Sequence, residues 1–171
     1  LRFNVGRGQI ISKVNVADYL TRQAFDFSTE IKDLNLAEVL EQSKAPVKVE
    51  GVVFATMKAQ GQGADLNSIT GEGNLEVKEV KLKNLNILKT VLDKVSIISD
   101  ISRIKAKLPE KYLAKLEDAD TTINKVSSTM SISAGQLVLS PVAVEADEFV
   151  FSGTGQAKFD QTYNFDGSFK I

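Results

Sequence analysis

The segment "TYNFDGSFKI", Thr162 to Ile171, sets Tyr163, Phe165, Phe169 and Ile171 at alternate positions, with Thr162, Asn164, Asp166, Ser168 and Lys170 between them. A pleated strand turns successive side chains to opposite faces, so this pattern specifies a strand with one apolar and one polar face. Just before it, "FVFSGTGQAKF" puts Phe149, Phe151, Gly153, Gly155, Ala157 and Phe159 on one face, and the short Asp160-Gln161 link reads as a hairpin turn. In "VKVEGVVFATMKAQGQG" the same alternation groups Val47, Val49, Val53, Ala55 and Met57. "GNLEVKEVKLKN" alternates through Leu75 and Val77, then changes phase to Val80 and Leu82, which predicts a bulge or turn at Lys78-Glu79. "TTINKVSSTMSISAG" alternates at Val126, Met130 and Ile132. A chain written this way is confined to sheets that bury one side only.

The pattern also repeats. "GQIISKVNVADYLTRQAFDFSTEIKD" begins at Gly8 and "GQLVLSPVAVEADEFVFSGTGQAKFD" at Gly135. Each opens Gly-Gln-aliphatic, gives a V-x-V pair (Val14 and Val16; Val142 and Val144) and closes on an F-x-F pair (Phe25 and Phe27; Phe149 and Phe151). The stretch from Gly73 to Leu82 reads as a third, degenerate copy. Two regions break the period of two. "LNLAEVLEQSK" predicts a short helix from about Leu36 to Gln42, ahead of Pro46. From Leu85 to Leu108 apolar residues recur every three or four positions, and "PEKYLAKL" continues the helical pattern after Pro109. The expected fold class is therefore α+β, mainly β. We expect a curved antiparallel β-meander, groove- or taco-like, of about eight strands, with a helical insert near residues 85–116 whose apolar stripe covers the sheet. The strands near Arg2–Val5 and Tyr163–Ile171 should be its edges.

Composition narrows the chemistry. The 171 residues contain no Cys and no His, so thiol nucleophiles, disulfides, Ser-His-Asp triads and imidazole metal ligands cannot come from this chain. A net charge of −1 with both signs interspersed lacks the basic patch that nucleic acid requires. No apolar run is long enough to span a bilayer as a helix. The opening "LRFNVGRG" reads as a strand already under way, which suggests a fragment of a longer protein. Short motifs add nothing catalytic. The triplets "GRG", "GQG", "GEG" and "GTG" do not open helices and read as glycines in strands, at bulges or close backbone approaches. "DADTTINKVSST" starts like a calcium loop at Asp118 and Asp120, but Ile123 holds its glycine position and Thr129 its bidentate glutamate position. Ser102 and Lys105 show S-x-x-K spacing without its companion motifs. The acids Asp147 and Glu148 fall at a hairpin turn.

What remains is the aromatic face. Apolar residues on alternating strands are most often core. The functional reading is a concave apolar surface that holds an acyl chain or a protein partner, and its candidate residues are Val49, Val53, Met57, Phe149, Phe151, Phe159, Tyr163, Phe165 and Phe169.

The run "ITGEGNLEVKEVKLKNLNILKTVL", the helical insert, and "DTTINKVSSTMSISAGQLVLSPVAVEADEFVFSGTGQAKFDQTYNFDGSFKI" together resemble the C-terminal region of AsmA-like proteins. The likeness covers roughly residues 45–171 and lies in a G-x-G strand opening, an N-L-(D/N)-(L/I) turn, a G-x-(L/V) restart and a closing G-x-G strand. Lys78-Glu79 departs from it, since the family often has Asp-Gly there. The resemblance implies a single β-repeat domain over residues 1–171, part of a longer bacterial protein anchored in the inner membrane and facing the periplasm. It implies a non-enzymatic role in outer-membrane biogenesis, with repeated units lining a groove for phospholipid. The partners it implies are phospholipid or another acyl-chain ligand, neighbouring β-repeats, and the membrane through parts outside this sequence; no cofactor is implied. The competing expectation is a scaffold or protein-interaction domain that binds no lipid.

Overall fold

The computed structural model describes residues 1–18, 20–41, 48–96 and 106–171. Its strands are β1 (Arg2–Val5), β2 (Gly8–Ala17), β3 (Ala24–Asn35), β4 (Lys48–Gln62), β5 (Thr70–Lys83), β6 (Thr121–Ser133), β7 (Gln136–Glu145), β8 (Val150–Lys158) and β9 (Tyr163–Lys170). They pair in sequence order, each antiparallel to the next, in one curved and unclosed sheet with β1 and β9 at its two edges. The expected meander is present with nine strands among the described residues, and its edges are the expected ones.

The helical pieces gather at one end of the sheet. Helix α1 (Leu36–Leu40) follows β3, with the Asn35 side chain accepting from the Ala37 N–H at 2.9 Å as its N-cap. Helices α2 (Ile87–Ser96) and α3 (Glu110–Lys115) lie between β5 and β6. The expected insert near 85–116 is thus helical at both flanks, and its middle, with Ser102 and Lys105, lies outside the described residues. Among the described residues the opposite end of the sheet carries only turns and one short 3₁₀ stretch, Leu66–Ser68.

The phase change at Lys78-Glu79 is a bulge. Opposite it, the β4 register steps from Glu50↔Lys81 to Val52↔Lys78, and Glu79 has φ 53°. One extra residue in β5 returns Val80 and Leu82 to the side occupied by Val77. Asp33, at φ 51°, does the same in β3 between Ile31 and Leu34. In β7 the register steps between Leu139 and Val142 against both neighbours, around Ser140 and Pro141. Proline has no N–H to give a ladder, so a bulge is where a strand accommodates it.

Burial is uneven. Val80, Ile123 and Phe149 form a buried cluster at the helical end, with Val49, Leu82, Val144, Phe151 and Phe169 packed around it. A second cluster, Leu88, Leu92 and Leu116 with Leu108 and Tyr112, joins α2 to α3. This corrects one expectation. Among the described residues of the insert, only Ile87 packs on the sheet cluster, and the apolar stripe is spent mainly on the insert itself. The cause is local anchoring. The Thr121 hydroxyl donates to Leu85 O at 2.7 Å and accepts from the Ile87 N–H at 2.8 Å. The Asn86 amide donates to Lys115 O and Asp118 O, each at 2.8 Å. These bonds hold the described flanks of the insert, α2 and α3, at the strand ends.

Candidate functional site

The apolar face is continuous because registers align its residues in rows. One row runs Leu34–Val53–Val77–Val126–Val144–Phe151–Phe169 across seven strands. The next but one runs Met57–Gly73–Met130–Leu139–Gly155–Phe165. At the turn end a third runs Val14–Phe27–Ala59–Gly71–Ile132–Leu137–Ala157–Tyr163. Eight of the nine candidates therefore belong to one face. Val53 shares a row with Phe151 and Phe169, Met57 shares one with Phe165, and Val49 and Phe149 join the buried cluster. Phe159 lies in the turn after β8, where its N–H donates to Gly135 O at 3.0 Å. Val47 lies outside the described residues.

Glycines let the aromatic rings lie flat. The Phe151 ring covers Gly153 and Gly167, and the Phe165 ring covers Gly155, so a Cβ at any of these positions would meet the ring. Phe151 stacks on Phe165 with centroids 5.5 Å apart, and Phe149 on Phe169 at 4.8 Å. The Phe25 ring lies over Gly61 in the same manner. The G-x-G triplets of β4, β5 and β8 thus set the height of an apolar floor.

Full burial of large apolar side chains is found at the helical end, while the central strands at the turn end are half-buried and the strands beside the edges are exposed. Phe149 is 4% exposed and Val53 7%, whereas Phe165 is 54% exposed, Val14 57% and Tyr163 87%. The reading of the face as core holds for the first group only. The residues missed as candidates are Phe3, Val14, Val16, Phe25 and Phe27, which occupy the same face on the first three strands. For Val14, Val16, Phe25 and Phe27 the V-x-V and F-x-F spacing is the signal in the sequence.

Two cavities are bordered mainly by polar-face side chains, although the first also touches Val14, Phe27, Ala59, Gly71 and Ile132 of the third row. The first, of about 800 Å³, has Lys13, Asp26, Lys58, Gln60 and Glu72 among its polar-face side chains. Another of about 420 Å³ is bordered by Lys32, Phe54, Asn74, Glu76 and Thr129. None of the nine candidates borders either. The charges beside the second are paired. Glu76 meets Lys125 at 2.8 Å and Lys78 at 2.9 Å, and Lys78 sits 5.1 Å above the Phe54 ring. Hydrogen bonds from Lys125 and Lys78 hold the Glu76 carboxyl below its ordinary range. The Glu76 contact likewise raises Lys125, and Glu148 raises Lys115. Asp120 is lowered by the Asn84 N–H and Lys81, and Asp160 by Thr162. Each of these shifts strengthens a charge already present, the opposite of tuning an acid or base toward neutrality. Among the described residues no three acids cluster as a metal site. Asp118 and Asp120 instead serve the junction of the insert with β6, Asp118 pairing with Lys115 at 3.4 Å.

No family model, curated protein or solved structure matches the chain. The resemblance to AsmA-like proteins accordingly rests on the sequence motifs alone.

Proposed function

We propose that this chain is a non-enzymatic module whose apolar face holds the acyl chain of a lipid. The observation that carries the reading is the uncovered half of that face. Rows of Val, Leu, Met and Phe continue past the buried cluster into solvent, where Val14 and Phe165 remain more than half exposed. Exposed apolar surface of this extent marks a binding surface more often than an accident of folding. Following the AsmA-like resemblance, the ligand is phospholipid and the setting the periplasm of a bacterial envelope, between inner and outer membranes. The scaffold reading is favoured by a different observation, the two unpaired sheet edges.

Native mass spectrometry after mild purification tests the proposal. Phospholipid should accompany the protein. Phe165→Glu should fold and lose most of it, because an ionised group is costly to desolvate against an acyl chain. Thr56→Glu, on the polar face, should keep it. Lipid retained equally by both variants would place the ligand elsewhere, and lipid absent from all three proteins would favour the scaffold.

A further inference from the structure

The two edges of the sheet are built differently. β1 pairs with Gly8 to Ile11 of the ten-residue β2, Leu1 exchanges backbone hydrogen bonds with Ser12 beyond it, and Arg2 and Lys13 lie along this edge. Positive charges along an edge discourage strand addition. β9 has eight residues, no proline, and no register shift against β8. All but Phe169 are exposed.

The direction of the open bonds follows from the hairpin. The Lys158 N–H donates to Thr162 O at 2.8 Å, and the ladder continues without a slip to Val150↔Lys170. In an antiparallel ladder bonded pairs alternate, so Asn164, Asp166, Ser168 and Lys170 direct their backbone groups to β8. Phe165, Gly167 and Phe169 direct theirs outward. Between them the side chains of Asp166 and Lys170 carry the strand's only charges, and neither has an ion-pair partner among the described residues.

We propose that β9 is a dimerisation edge at which two copies of this chain pair β9 to β9, antiparallel, about Ser168. In that register each Asp166 lies opposite the second copy's Lys170, giving two symmetric ion pairs. Gly167, whose apolar side is already covered by the Phe151 ring of its own chain, lies opposite the second copy's Phe169. The charged pairs and the Ser168 pair fall at non-bonded positions, where facing side chains come closest. Joining β9 to β1 would leave a free edge on each copy and grow a filament, whereas β9 to β9 closes. This pairing is independent of what the apolar face binds. One strand pair buries little surface, so the dimer is weak.

Sedimentation of the 171-residue chain from about 10 µM to about 1 mM tests it, a range set by the small interface. The mass should rise toward that of a dimer and stop there. Asp166→Lys and Lys170→Asp should each weaken association about tenfold, since like charges directly opposite are destabilising, and the double exchange should restore it. Ser168→Cys, the only thiol in a chain with no Cys, should oxidise to a covalent dimer, because facing Cα atoms at such a pair fall within disulfide reach. All three residues are exposed, and far-UV circular dichroism confirms that each variant folds. A monomer at the highest concentration, growth beyond a dimer, association indifferent to the single exchanges, or a Ser168→Cys chain that does not cross-link would each overturn the proposal.

Discussion

The helical end and the turn end of the apolar face use the same side chains in the same alternation, and only one of them is core. At the helical end Val80, Ile123 and Phe149 are each 5% exposed or less. At the turn end Val14, Val16 and Tyr163 are each 55% exposed or more. The difference lies in what connects the strands. At one end the β7–β8 turn folds Phe149 onto Ile123, and the insert adds Ile87. At the other the described connections are turns and one short 3₁₀ stretch, among them the turn where the Asp160 carboxylate accepts from the Thr162 N–H at 2.9 Å. Alternation decides which way a side chain faces, and the loops decide whether anything covers it.

Truncation at the two ends should separate them most. Ile123→Ala should cost about 2–5 kcal/mol of unfolding free energy, as for a buried aliphatic residue. Val14→Ala should cost less than about 0.5 kcal/mol. Equal losses in urea denaturation would erase the distinction. An intermediate effect is expected at Gly153→Ala, where a new Cβ would meet Asp166 O and the Phe151 ring. Overpacking of this kind costs about 1–3 kcal/mol. Loss of the Phe151–Phe165 stack, read as altered ring chemical shifts, should accompany it.

The smallest effect concerns the anchoring of the insert. Asp120 accepts from the Asn84 N–H at 2.9 Å and pairs with Lys81 at 3.2 Å, which lowers its pKa. A lowered carboxyl stabilises the fold above its unfolded value, and that contribution is lost as pH falls through the lower folded value, below about pH 4. Lys115 is raised by Glu148, 3.1 Å away, so its contribution is complete below the ordinary lysine range and is lost as pH rises through the higher folded value. Amide exchange in α2, corrected for intrinsic rates, should therefore quicken below about pH 4 before β4 and β5 respond. Simultaneous release of helix and strands would show the insert to be integral to the sheet.

Much of this was legible in the sequence. Period-two alternation identified the face, the phase change at Lys78-Glu79 identified the bulge, and the ends of the chain were recognised as edges. The repeated hairpin is present, but its copies differ in register. Val16 faces Phe25 and Val14 faces Phe27 in the first, whereas Val144 faces Phe151 and Val142 faces Gly153 in the second. Turn length sets that offset, and an F-x-F pair does not encode it. The placement of the insert was not legible either. A helix with an apolar stripe needs a partner, and nothing in its periodicity says that α3 would supply one before the sheet did. The Thr121 and Asn86 bonds that decide the matter join residues 29 to 36 positions apart.

The central claim is that the apolar face is closed at one end and open at the other, and two charges test it most directly. Phe149→Glu and Phe165→Glu should be compared by chemical denaturation in the same buffer. With Phe149 at 4% exposure, its replacement should remove several kcal/mol, of the order of a small domain's whole stability, and leave little folded protein. With Phe165 at 54%, its replacement should unfold cooperatively within about 1 kcal/mol of the parent. Comparable destabilisation by both, in either direction, would contradict the account.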